Sequence, residues 1–141
     1  MGERREPLRL PAVTQAHAFA AGIRQLEAAV LREQWTGDSI SDAHQVYELP
    51  NYGELLEQAY TSGFVRGDLS ADGFDFQAIN TQPQEQLGGM PMAEVRRFVH
   101  ALYRCERHNH GWGSFVLDAV QSGAFGVVAS RLEACSNPAD R

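Results

Sequence analysis

Residues 104–113, RCERHNHGWG, gather two arginines, two histidines, a cysteine and a glutamate ahead of two glycines. A carboxylate beside imidazoles is the raw material of acid–base catalysis. The concrete form of that chemistry has Glu106 as general acid or base with His108 or His110 assisting, in a pocket beneath a flexible 80–90 loop. Metal binding fits less well. On a helix, a spacing of two sets His108 and His110 about 200° apart, so they cannot share an ion, and glycines follow too soon for a strand. The letters HNH at 108–110 match a nuclease name by accident, because that motif is dispersed over a longer unit.

Other segments invite chemistry and then depart from it. Asp68, Ser70, Asp72 and Gly73 follow the first positions of a calcium loop, but Ile79 stands where the bidentate glutamate belongs. Turn-forming residues explain the same stretch. Ala119 and Gly123, with Ala129 and Leu132 downstream, have helix-turn-helix spacing, yet FGVVASRLEA offers only Arg131 to a base or phosphate. Ser114 lacks the GxSxG elbow, and phosphate-loop and dinucleotide glycine patterns are absent. Trp35 and Trp112 read as core or rim aromatics.

The element that must position the opening stretch is a helix over 91–109, opened by Pro91 and broken by Gly111 and Gly113. At about 100° per residue, Met92, Val95, Phe98, Val99, Leu102 and Tyr103 share one sector. Arg96, Arg97, His100, Arg104, Arg107 and His108 share the opposite one, a basic back that suits the C-terminal end of the helix dipole. Glu106 breaks the separation. It falls in the apolar sector, four residues after Leu102, so its carboxylate faces the core and must be paired, hydrogen-bonded or protonated there.

Around this helix the sequence predicts a mainly α fold, a bundle of about five helices with a long polar loop near 80–90. Val13, Ala16, Phe19, Ile23, Leu26 and Val30 mark a first helix from Pro11. Residues 36–50 read as a connection with a short extended piece at QVYEL. Asn51 with Glu54 resembles a capping box for a short helix that Gly63 ends. Helices over about 113–122 and 124–135 follow, with Gly123 between them. Residues 1–10 and 136–141 read as flexible ends of a single domain over 11–135.

Composition narrows the function classes. The formal charge of −6 argues against a nucleic-acid coat, although every one of the 12 bases is arginine and they can cluster locally. No run is long enough to span a membrane, and no apolar signal core opens the chain. Cys105 and Cys135 form no CxxC pair and read as reduced, cytoplasmic thiols.

Three places carry a resemblance: Phe74-Asp75-Phe76 after a helix ending in glycine, the R-x-E-R run Arg104, Glu106, Arg107 before Gly111, and Ser122-Gly123 followed by Arg131-Leu132. Over about residues 45–133 the chain resembles a bacterial family of uncharacterised proteins known only as a domain of unknown function. The resemblance implies a compact helical domain and supplies no activity. It also groups Glu106, Arg104, Arg107 and Asp75 into one design, with a structural ion pair in which Asp75 or Glu106 meets an arginine of the last helices. The reading that follows is a non-enzymatic interaction module without a cofactor. Its basic face, Arg96, Arg97, His100, Arg104 and Arg107, would meet an acidic protein partner or an anion. The seven acids between Glu48 and Glu85 could instead neutralise that face from within, and the C-terminal helix pair could serve as a homodimer seam. A small hydrolase-like enzyme and a DNA-binding regulator are the alternatives.

Overall fold

The computed structural model describes residues 12–33, 39–108 and 113–135. The expected flexible ends, together with Trp35, His110 and Trp112, lie outside the described residues. Eight helices, and no strand, occur among the described residues. They are α1 (Val13–Arg32), α2 (Ser39–Tyr47), α3 (Pro50–Thr61), α4 (Phe76–Thr81), α5 (Pro83–Leu87), α6 (Met92–Arg107), α7 (Phe115–Ser122) and α8 (Ala124–Glu133).

The core is organised around α1. Ala16, Phe19, Ile23, Leu26 and Val30 are buried at steps of three and four, the stripe that its periodicity predicts. α8 packs along this helix most extensively, with α3 and α7 beside it. At the centre the Phe19 ring stacks on Phe64 at 4.4 Å between centroids, and meets Tyr103 and Phe125 edge-on at 6.3 and 6.2 Å. Each such pair contributes about 0.5–1.5 kcal/mol beyond its buried area.

The structure corrects the expected outline in three places, and each has a local cause. The expected extended piece at QVYEL is instead the end of α2, up to Tyr47, and the turn after it; Val46 is buried in the core and the Tyr47 hydroxyl is anchored to the Gly113 carbonyl at 2.9 Å. Asn51 does not cap α3. The N-cap position is Leu49, and Pro50 occupies the first turn, where its fixed φ suits the helix and its missing N–H is not needed.

The polar loop near 80–90 is instead largely helical, as α4 and α5. Asp75 caps α4 by accepting the Ala78 N–H at 3.1 Å, and Pro83 starts α5. Leu87, fully buried, pins α5 to the core, and the Arg131 guanidinium donates to the Leu87 carbonyl at 2.7 Å. Two buried side chains, Ile79 and Leu87, and two polar contacts thus hold α4 and α5 in place.

α7 and α8 are joined through Gly123 alone, at φ +92°. That conformation costs a residue with a Cβ about 1–2 kcal/mol, so glycine is the economical choice there.

Candidate functional site

α6 has no internal glycine or proline, an acid, Glu94, in its first turn and Arg104 and Arg107 in its last, all in the sense that the helix dipole favours. Its apolar stripe buries Val95, Phe98, Val99, Leu102 and Tyr103, and Glu106 continues the stripe with only 5% of its surface exposed. The inward direction expected for this carboxylate is therefore what the structure has.

Among the described residues Glu106 meets no arginine. Its Oε2 accepts the Tyr52 hydroxyl of α3 at 2.6 Å and the Ser114 hydroxyl at 2.6 Å, and its Oε1 accepts the Val116 N–H at 3.1 Å. Ser114 is the N-cap of α7 and accepts the Leu117 N–H at 3.0 Å. The carboxylate and the cap together take two of the free amides at the start of α7, where a negative charge is favoured. The Tyr47 ring of α2 lies 5.2 Å from that of Tyr52, so α2, α3 and α7 converge on the C-terminal end of α6.

The electrostatics of this cluster discourage nucleophilic chemistry. Burial, then the charge of Glu106, push the phenols of Tyr47, Tyr52 and Tyr103 up from their ordinary range. For Tyr52 the hydrogen bond to Glu106 adds to the same direction. The Cys105 thiol is raised by the same two causes, which keeps it protonated rather than poised for attack. Both oxygens of Glu106 are already engaged, and neither of two cavities includes it in its lining. One lies between α1 and α7, lined by Val30, Leu31 and Val120, and the other between α1 and α3 around Gly22 and Leu55. Among the described residues no three acids, histidines or cysteines gather where a metal could sit.

The basic back divides in two. Arg96 and His100 are buried, at 3% and 1% exposure, beneath residues 63–75. Arg96 donates to the Gly63 carbonyl at 2.6 Å, and burial, then the nearby Arg66, lowers its pKa. Arg97 pairs with Glu94 at 2.9 Å, donates to the Ser70 and Asp72 carbonyls at 3.1 and 2.6 Å, and lies 4.5 Å from the Phe74 ring centroid. These three residues are therefore largely committed inside the fold. The wheel put them on a solvent face because it cannot show the irregular segment that covers them. Arg104 and Arg107 remain exposed, and among the described residues neither forms an ion pair. The Arg107 guanidinium rests 5.5 Å from the Tyr60 ring centroid, and His108 closes the helix as its exposed C-cap.

Among the described residues Asp75 likewise forms no ion pair. It is the exposed cap of α4, a role that needs one short acceptor ahead of a helix and no cation. In the helix-turn-helix region, α8 buries Phe125, Val128, Ala129 and Leu132, and its exposed Ser130 and Glu133 are bonded to Arg24 of α1 at 2.9 and 3.0 Å. Those contacts commit Ser130 and Glu133 to α1. Sequence reasoning missed Tyr52, Ser114 and the Val116 amide as partners of Glu106. The available signal was Ser114 directly before the apolar run of α7, an N-cap pattern.

No family model, curated protein or solved structure matches the chain. No helix among the described residues is long and apolar enough to cross a membrane.

Proposed function

We propose that the chain is a non-enzymatic interaction module whose contact point is the exposed C-terminal turn of α6. The observation that carries this reading is the pair Arg104 and Arg107. They sit one helical turn apart, exposed and without a carboxylate partner among the described residues, whereas Arg24, Arg66 and Arg97 are each tied to an acid. Tyr60 beneath Arg107 adds an aromatic surface to the cations. The partner that fits is a short acidic protein segment. A chain of net charge −6 repels an extended polyanion, but a segment a few residues long senses mainly charges within a Debye length, about 8 Å at physiological salt. The three hydrogen bonds that already engage Glu106 weigh against the hydrolase alternative. Membership of the uncharacterised bacterial family and a cytoplasmic setting go with this proposal as expectations.

The test is fluorescence anisotropy with a labelled glutamate-rich peptide at low and high salt. Binding should weaken with salt, be lost in Arg104→Gln/Arg107→Gln and survive in Arg32→Gln, an exposed arginine at the end of α1. Equal binding by the double variant, or preference for an oligonucleotide over the peptide, overturns the assignment.

A further inference from the structure

Residues 63–75 run from the end of α3 to the start of α4 without a helix, and they cover the flank of α6 that holds Arg96, Arg97 and His100. Apolar anchors bracket this segment. Phe64 and Val65 are buried at one end, and Phe74 packs edge-on against Phe98 at 5.6 Å at the other. Between them, no side chain of residues 66–73 is buried. What holds this stretch down is polar: the Arg66 N–H donates to His100 Nδ1 at 3.3 Å, and Arg97 donates to the carbonyls of Ser70 and Asp72.

His100 accepts that bond only as a neutral ring with a lone pair on Nδ1, which leaves the proton on Nε2. The surroundings favour this state. Its own helix places Arg96, Arg97 and Arg104 near it, and the covering segment contributes Arg66, whose guanidinium is paired with Asp68 at 2.8 Å. Glu94 belongs to Arg97. α3 carries Glu54 and Glu57 and α7 carries Asp118, and none of these ion-pairs with the ring.

We propose that His100 is an acid-operated latch. A proton taken from solvent onto Nδ1 removes the acceptor of the Arg66 amide and places a charge beneath the segment, so the segment opens from α6 at Arg66 while the helices stay packed. The latch goes beyond the binding proposal and does not depend on it, although the flank it uncovers adjoins Arg104.

The direction follows from linkage. Burial, with the neighbouring guanidiniums, holds the closed imidazole below its usual range, while a Leu69 backbone hydrogen bond opposes it only in part. The opened ring titrates normally, at about 6.5, so the open form binds more protons and the closed form loses ground as pH falls through that value. If only the open form takes the proton, opening increases about tenfold between neutral pH and pH 5.5.

Amide hydrogen exchange on the full chain, corrected for the intrinsic pH dependence of exchange, tests this directly. The Arg66 amide should lose about tenfold protection at pH 5.5 while the amides of α1 and α6 keep theirs. His100→Gln, which retains an oxygen acceptor but does not titrate, should give a flat profile. In the wild-type chain, NMR should show the His100 ring and the Arg66 amide titrating with one midpoint, which decides the matter even if the variant does not fold. Unchanged Arg66 protection, the same acid response in His100→Gln, separate midpoints, or loss of protection by all helices together overturns the latch.

Discussion

Replacing Ser114 with alanine should cost far more than a surface serine normally does, because one hydroxyl makes two bonds at a buried site. Its proton goes to Glu106 Oε2 at 2.6 Å, and its oxygen accepts the Leu117 N–H at 3.0 Å. Loss of an N-cap costs about 1 kcal/mol. Loss of a hydrogen bond to a charged group costs about 1.5–3 kcal/mol, and water compensates poorly because Ser114 is only 5% exposed. The expected total is about 2.5–4 kcal/mol, or roughly a 10 °C fall in Tm for a chain of this size. Tyr52→Phe removes the other hydroxyl on the same oxygen. With both gone, Glu106 keeps only the Val116 amide, so the double variant should exceed the sum of the single ones by about 1 kcal/mol. Urea unfolding at pH 7 with unchanged m-values measures all three. A Ser114→Ala cost near 1 kcal/mol, the cap alone, or strict additivity with Tyr52→Phe, would refute the picture of a carboxylate holding two hydroxyls at once.

Leu87→Ala should destabilise by about 2–4 kcal/mol in the same assay, since Leu87 is fully buried and anchors α5; a cost under about 0.5 kcal/mol would fit a loose 80–90 loop instead. Gly123→Ala should cost about 1–2 kcal/mol in a thermal melt, from backbone strain at φ +92° alone, because a new Cβ there meets nothing nearer than Pro83 Cγ at 4.0 Å. Arg131→Met should speed amide exchange in α5 without unfolding α8, by freeing the Leu87 carbonyl; exchange equal to wild type would mean that this bond holds nothing. Cys105 should react slowly with iodoacetamide at neutral pH, because burial and Glu106 raise its thiol pKa; labelling at the rate of a free cysteine would contradict that environment.

The sequence was most legible where a regular period met a packed neighbour. The stripes of α1 and α6, the inward turn of Glu106 and the glycine stops at Gly63 and Gly123 follow from spacing and backbone preference. What stayed hidden depended on chain segments distant in sequence. The segment near 80–90 looks polar because Leu87, the one buried side chain that fixes α5, carries no period of its own. Arg96 and His100 look solvent-facing on a wheel, since a wheel has no term for a loop laid over the helix. The partners of Glu106 come from positions 52, 114 and 116, and only Ser114 carried a local signature.

α6 thus does more than contribute an apolar stripe. Three of its buried polar side chains engage the chain where α-helical bonding stops: Glu106 takes the Val116 amide of α7, Arg96 the Gly63 carbonyl and His100 the Arg66 amide. Backbone groups at such places have no partner within their own element, and leaving one buried and unpaired costs about 1–3 kcal/mol. A purely apolar α6 would strand them, however well it filled the core. The difference can be measured. Glu106→Leu preserves the stripe yet abandons two hydroxyls and an amide, so it should destabilise more than the opposite kind of change, Leu102→Ala, which leaves a cavity with those three groups still paired. The reverse order in urea unfolding would mean that this helix holds its neighbours by packing alone.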